Sequence, residues 1–211
     1  MDDLLLGISK LFKKCGIRCI NMDDIAREIC IPKKTLRQSF DNKNEVLGAV
    51  VQFELRTELR ELEDISNSIA NAIDQIIAIS NYLGNKVFNS NQILVHDLKK
   101  YHPSIWEAFR SQRELQIQSL VNRNLQMGIR QGLYHENIKT ENFIVSYLLR
   151  LHFIDYEVYH KRTNEKYSES YDTLFLYHVY SIDSDSRIKY LQQRYRQKNI
   201  YNVLNIKNIA Y

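Results

Sequence analysis

The fold of this chain is decided by residues 21–40, which read NMDDIAREICIPKKTLRQSF. Asn21 is a favourable N-cap, and Asp24 follows three residues later in the position of a capping box. Pro32 fits the start of a second helix, because the N–H that proline lacks would be unpaired there in any case. We therefore predict two short helices, over about 22–30 and about 33–40, that are joined by a tight turn.

The second of these helices has one apolar and one basic side. Leu36 and Phe40 are four residues apart and share a face. The opposite face carries four polar or basic side chains, namely Lys33, Lys34, Arg37 and Gln38. Lysine and arginine suit phosphates or guanine edges, and glutamine suits adenine. Taken alone, these side chains are better explained as a solvated face, but a basic helix braced by its predecessor predicts a DNA-binding helix-turn-helix.

The rest of the chain is also predicted to be helical. Leu4 to Phe12 have helical apolar spacing, and Gly16 ends that helix. A long helix begins at about Asn44, and apolar stripes continue to Ile182. Only 6 glycines and 2 prolines interrupt the chain, which favours long helices over sheet. We expect an all-α protein with a helix-turn-helix domain at 1–46 and a larger helical domain at 47–211.

The net charge of +4 does not by itself indicate nucleic-acid binding. Six of the 29 basic residues lie between Arg187 and the C-terminus, where there is no acidic residue, so that 23 basic residues remain against 25 acidic ones. The DNA prediction therefore depends on the local pattern. No apolar run approaches the roughly 20 residues that cross a bilayer, and the N-terminus starts acidic, so we expect a cytoplasmic protein without a membrane segment.

The cysteines and histidines do not indicate a cofactor. Cys15, Cys19 and Cys30 are an odd number without a secretion signal, which predicts reduced thiols. We expect them to be buried as small apolar residues, with a redox switch acting on the turn as the alternative. A zinc ion would need a fourth ligand besides the three cysteines, and no histidine lies near them in the sequence. Glu157 and His160 form one Glu-x-x-His pair, whereas di-iron bundles carry two, so we interpret them as surface residues.

The stretch from Leu4 to Leu47 resembles the DNA-binding domain of the TetR family of regulators. The resemblance lies in an ordered set, Leu11-Phe12, Gly16, Asp24-Ile25-Ala26, Ile31, Thr35-Leu36, Phe40 and Lys43. It implies that the DNA contacts come from Asn21, Pro32, Lys33, Lys34, Thr35, Arg37, Gln38, Ser39 and Lys43.

Four positions depart from the family pattern. Cys30 replaces the usual turn glycine, Pro32 a serine cap, Lys34 a small residue and Arg37 a tyrosine. Cys30 then has to accept an unfavourable backbone angle. Lys34 and Arg37 add charge for phosphate contacts, and we expect an unusual base preference.

The resemblance also implies a homodimer that binds a double-stranded DNA operator and is controlled by a small-molecule ligand. The segments Thr140–His160 and Ser168–Ile182 would pack against their symmetry mates as a four-helix bundle. The aromatic side chains of the larger domain line either a ligand pocket or an ordinary core. The residues assigned to the pocket are Trp106, Phe109, Tyr147, Leu151 and Tyr177. A repressor released by its ligand is the usual behaviour of this family.

Two other classes of protein remain open from the sequence. One is a helical metal-binding or enzymatic bundle, for which the N-terminal match would be accidental. The other is a protein-interaction module that keeps a helix-turn-helix shape for a protein partner.

Overall fold

A computed structural model describes residues 1–88 and 90–161. This part of the chain contains eight helices and no strand, which confirms the all-α prediction. In chain order the helices are α1 Asp2–Cys15, α2 Met22–Glu28, α3 Lys33–Ser39, α4 Lys43–Ser68, α5 Ala72–Phe88, α6 Gln92–Tyr101, α7 Pro103–Arg130 and α8 Thr140–Lys161.

The chain divides into two compact units. The first contains Met1–Glu63 and Ser90–Gln116, and the second contains the described parts of 64–89 and 117–211. The first unit thus holds α1 to α3, most of α4, all of α6 and the start of α7. This unit extends past residue 46. The assignment of DNA binding to 1–46 and of regulation to 47–211 concerns function and stays a prediction.

The core of the first unit forms around the three short helices. α1 contributes the buried Ile8 and Phe12, and it ends where Gly16 adopts a φ of 77° and donates its N–H to the Phe12 carbonyl at 2.9 Å. Ile25 of α2 and Leu36 of α3 are fully buried in the same cluster. Burial of an aliphatic side chain contributes about 1.5–3 kcal/mol, so this shared core stabilises helices that are too short to form alone.

The turn between α2 and α3 is built on a left-handed residue. The N–H of Cys30 bonds to the Arg27 carbonyl at 3.2 Å, and the N–H of Ile31 bonds to the Ala26 carbonyl at 3.0 Å. This pair of bonds is a Schellman cap, which requires a positive φ at its central residue. Cys30 has a φ of 56°, which confirms the expectation that it accepts an unfavourable backbone angle.

The predicted burial of the cysteines was wrong. Cys15, Cys19 and Cys30 are all exposed, and their thiols are free. The physical reason is their position, since Cys15 is the last residue of α1 and the other two lie in connecting turns. Connecting turns run over the surface, where their backbone groups reach water.

The second unit is held together by packing and by a buried polar network. α5 packs against α8. The side-chain amide of Asn124 on α7 donates to the Ala72 carbonyl and to Gln75 Oε1, each at 2.8 Å. The hydroxyl of Tyr134 donates to Asn124 Oδ1 at 3.1 Å. These bonds join the start of α5 to α7 and to the turn that follows α7, and they satisfy polar groups that would otherwise be costly to bury.

Some predicted features lie outside the described residues. They are the stripe Ser168–Ile182, the pocket residue Tyr177, the basic segment from Arg187 onward, and the side chains of Glu157 and His160. In the part of the chain that is described, no helix combines the length and the apolar character needed to cross a membrane.

Candidate nucleic-acid interface

The helix α3 presents one buried and one exposed face. Leu36 and Phe40 are buried in the core of the first unit. The side chains on the other side, Pro32, Lys33, Lys34, Thr35, Arg37, Gln38 and Ser39, are all exposed. The predicted orientation of the helix is therefore confirmed, and contact between these side chains and DNA stays a prediction.

The start of α3 depends on the backbone of Pro32. Its carbonyl accepts the N–H groups of Thr35 at 2.9 Å and Leu36 at 3.2 Å, and its φ of −60° leads into the helix. Proline has no side-chain group that can cap a helix, and no cap hydrogen bond is made. The helix is consequently anchored by its apolar face and by these two backbone bonds.

The helix α2 is anchored by the capping box that the sequence predicted. Asn21 Oδ1 accepts the N–H of Asp24 at 2.9 Å, and Asp24 Oδ2 accepts the N–H of Asn21 at 3.0 Å. The backbone N–H of Asn21 holds the pKa of Asp24 below its ordinary value of 3.8, and the hydrogen bond from Arg27 acts in the same direction. At neutral pH Asp24 is thus ionised, which is the form that accepts this hydrogen bond.

Asp23 is a feature of this surface that the sequence pattern did not reveal. Its carboxylate lies 2.8 Å from Lys33 Nζ and 3.9 Å from an Arg37 guanidinium nitrogen. The hydrogen bond from Lys33 lowers the pKa of Asp23 from its ordinary 3.8. A full negative charge therefore lies among the cations of α3. The pairing depends on how α2 crosses α3, so residue spacing alone does not predict it.

Lys43 occupies the first position of α4 and is half-buried. Burial lowers the pKa of its ammonium group, while the nearby Cys19 and Asp97 act in the opposite direction. His102, at the end of α6, is a neighbour: burial and the Lys43 charge both lower its pKa from 6.5. Lys43 thus lies near Asp97 and His102, which belong to α6 and to its C-terminal end. The sequence pattern did not associate α6 with this region.

A cleft of about 450 Å³ lies beside Lys43. Its lining residues come from two distant stretches of sequence, Asn42, Asn44 and Glu45 on one side and Tyr101, His102, Pro103, Ser104 and Ile105 on the other. The side chain of Asn91, the N-cap of α6, also donates to the Lys13 carbonyl at 2.5 Å. α6 is therefore part of the structural neighbourhood of the predicted DNA contacts.

The described residues assigned to a ligand pocket are divided between the two compact units. Trp106 and Phe109 pack, partly buried, against the core of the first unit. Tyr147 and Leu151 are buried in the second unit, where the hydroxyls of Tyr147 and Ser80 lie 2.8 Å apart. Tyr177 is outside the described residues. Each described member thus has a packing role, and the pocket stays a prediction.

No group of His, Cys, Asp and Glu side chains with the arrangement of a metal site occurs in the described residues.

The sequence by itself matches no known family profile and no curated protein. The fold, in contrast, matches solved regulators. A TetR transcription regulator from Haloarcula marismortui superposes with a TM-score of 0.72 at 13% identity, over 85% of this chain and 95% of that one. A TetR/AcrR family regulator from Thermobifida fusca gives a TM-score of 0.64 at 17% identity, over 86% and 97%.

A third solved structure is the fatty acid degradation regulator FadR of Bacillus halodurans. It gives a TM-score of 0.64 at 12% identity, over 84% of this chain and 93% of that one. In all three cases nearly the whole of the other chain is covered, so the similarity is not confined to the helix-turn-helix. The chain therefore has the fold of the TetR family regulators, with an N-terminal helix-turn-helix followed by further helices.

Proposed function

We propose that this chain is a DNA-binding transcriptional regulator that binds a double-stranded operator as a homodimer. The observation that carries the proposal is the α3 surface, on which Lys33, Lys34, Arg37 and Gln38 are exposed while Leu36 and Phe40 anchor the helix. Such a helix can enter the major groove with its apolar side still covered. The likeness to solved TetR regulators supports the same function.

The DNA contacts are assigned to residues of the 1–46 region and the regulatory role to 47–211. The proposed contacts are Asn21, Pro32, Lys33, Lys34, Thr35, Arg37, Gln38, Ser39 and Lys43. Except for the half-buried Lys43, these side chains are exposed in the first unit. A cytoplasmic location belongs to the same proposal, because the target is genomic DNA.

The homodimer is supported by an apolar face on α8. Val145 and Leu149 are four residues apart and remain 56% and 63% exposed. Pairing of α8 with its copy would remove this face from water. Two α3 helices could then reach successive major grooves, which are about 34 Å apart.

Regulation by a small ligand completes the proposal. We assign the pocket to Trp106, Phe109, Tyr147, Leu151 and Tyr177, and we propose a repressor that the ligand releases from DNA. The buried hydroxyl pair of Tyr147 and Ser80 offers a polar group within an apolar core, which is a common feature of ligand sites. The ligand acts only to the extent that it binds one arrangement of the dimer better than the other.

Selection of bound fragments from genomic DNA tests the proposed function. The purified protein should enrich sites with a two-fold repeated motif. Lys34→Ala and Arg37→Ala should weaken binding to an enriched site and flatten its dependence on salt, because each removes a cation from the contact surface. Lys86→Ala, on α5 of the second unit, is the matched control and should bind like the parent.

Other outcomes would overturn the proposal. Turnover or bound metal without DNA affinity would favour an enzymatic or metal-binding bundle, and capture of a protein partner without DNA affinity would favour an interaction module. Sedimentation of a Val145→Glu/Leu149→Glu variant tests the dimer, with the exposed Leu115→Glu on α7 as control. A monomeric parent protein would contradict the dimer.

A further inference from the structure

Three exposed residues from two distant stretches of the first unit form a surface that we call the Tyr101 patch: Arg18 on one side, and the neighbouring Lys100 and Tyr101 on the other. The Arg18 guanidinium carbon lies 4.6 Å from the centre of the Tyr101 ring, and Lys100 Nζ lies 5.4 Å from it. Among the residues that the structure describes, neither Arg18 nor Lys100 forms an ion pair with a carboxylate. One aromatic ring therefore holds two cations that lack an anionic partner in this part of the chain.

The Tyr101 patch adjoins the proposed DNA interface at two places. Arg18 lies three residues before Asn21, the N-cap of α2. Tyr101 shares its cleft with Asn42 and Asn44, the two residues that flank Lys43. The patch thus shares a cleft with the residues around Lys43, and its Arg18 is close in sequence to Asn21.

The positive charge of the Tyr101 patch favours an anionic partner. Two cations held near one ring repel each other, and cation–π attraction at an exposed site is weak, so an anion that approaches these cations is favourable. The neighbouring carboxylates do not supply one. Glu45 accepts the N–H of Asp41 at 2.9 Å, and Asp97 is buried with His96 Nδ1 at 3.7 Å.

We propose that the Tyr101 patch binds backbone phosphates of the same duplex that α3 enters, beside the groove. This inference rests on the proposed function, and it adds a contact from α6 and from the loop before α2 to those of the helix-turn-helix. Duplex DNA carries about one charge per 1.7 Å along its axis, so a bound duplex presents further phosphates beyond those that α3 reaches. Arg18 and Lys100 position the protein on the backbone and carry no sequence preference.

The salt dependence of binding to a fluorescein-labelled duplex of arbitrary sequence tests the proposal. Arg18→Ala and Lys100→Ala should each weaken binding several-fold at low KCl. Each should also reduce the slope of log K against log [KCl] by about 0.9 per protomer, because one phosphate contact is lost. Arg18→Lys keeps the charge and should retain the slope. Lys86→Ala is the matched control, since Lys86 Nζ lies 5.5 Å from the Tyr82 ring in the second unit.

The possible results separate this inference from the proposed function. If Arg18→Ala and Lys100→Ala keep the parent slope while Lys34→Ala reduces it, the Tyr101 patch is not a phosphate contact and the function stands. If the parent protein does not bind duplex DNA at low salt, this inference and the proposed function are both overturned. If Arg18→Ala changes the thermal unfolding of the protein, Lys100→Gln at the exposed end of α6 decides the question instead.

Discussion

Lys33 Nζ lies 2.8 Å from Asp23 Oδ2, so a cation that is expected to face DNA is already paired with a carboxylate of the preceding helix. The side chain of Lys33 is 62% exposed and that of Asp23 is 47% exposed. Exposed pairs of this kind contribute little to stability, so phosphates can replace Asp23 as the partner of Lys33. The carboxylate would then face the DNA backbone and repel it.

Asp23→Asn is expected to strengthen binding to DNA of arbitrary sequence by about fivefold at low salt. The variant loses the repulsion between the Asp23 carboxylate and nearby phosphates, and the gain is modest because water and salt screen exposed charges. The preference for a selected site over arbitrary DNA should fall, because Asp23 no longer opposes unspecific phosphate contacts. Fluorescence anisotropy on both duplexes measures this. Glu28→Gln, whose carboxylate pairs with Arg27 at 3.6 Å, is the control for net charge, and an equal effect of both variants would contradict the role of Asp23.

Cys30→Gly is expected to stabilise the protein by about 0.5–1 kcal/mol. A left-handed φ costs an ordinary residue roughly 1–2 kcal/mol, and the greater freedom of glycine in the unfolded chain offsets part of the gain. The Schellman cap after α7 already has Gly132 at this position, with a φ of 66°. Urea unfolding is the measurement. Cys19→Gly removes another exposed thiol without a positive φ, and a similar gain there would rule out the backbone explanation.

Glu58→Ala is expected to lower the free energy of unfolding by about 3 kcal/mol, since it removes a buried carboxylate that pairs with a mostly buried guanidinium. Glu58 Oε1 accepts from Arg113 Nε at 2.9 Å and lies 2.8 Å from Nη2, and the two side chains are only 9% and 15% exposed. Glu107→Ala breaks the exposed pair with Arg110 on the same helix, α7, and should cost less than about 1 kcal/mol. If urea unfolding gave the same loss of unfolding free energy for Glu58→Ala and Glu107→Ala, the burial of the Glu58–Arg113 pair would have no effect on stability.

Gly128→Ala is expected to destabilise the second unit by about 1–3 kcal/mol, because extra volume in a packed core forces its neighbours to move. A Cβ at this position would lie 2.0 Å from Cδ2 of the buried Tyr134 ring. Gly48→Ala on α4 is the matched control: its Cβ would meet no atom within 4 Å, and the substitution should be neutral or stabilising. Thermal unfolding compares them, and a Gly128→Ala protein as stable as Gly48→Ala would refute the packing argument.

His102→Asn is expected to make stability less dependent on pH between neutrality and mildly acidic conditions. Burial, helped by the Lys43 charge, lowers the folded pKa of His102 from 6.5, while Asp97 acts against this shift. The unfolded chain therefore binds the proton more readily, so the contribution of His102 is complete above about pH 6.5 and is lost as pH falls through the folded pKa. Urea unfolding over this pH range is the measurement. A variant with the same pH profile as the parent would contradict the assignment.

Much of the fold follows from local sequence signals. The helix α1 ends at Gly16 as predicted, and the Asn21–Asp24 capping box forms as expected, because caps, breakers and apolar spacing act over a few neighbouring residues. The inward face of α3 was predictable for the same reason: one helical turn brings Leu36 and Phe40 together wherever the helix lies.

Other features depend on how the helices pack. The Asp23–Lys33 pair, the position of Tyr101 beside Arg18 and the exposure of the cysteines were absent from the sequence pattern. The predicted pocket residues Trp106 and Tyr147 also fall in different compact units, since only the start of α7 packs against the core of the first unit while α8 belongs to the second.

The sequence alone thus determined which segments are helical and which side of α3 carries the cations, since these are properties of a few consecutive residues. Only the tertiary structure decided which charges face each other on the finished surface, because that depends on the crossing of helices that lie far apart in the chain.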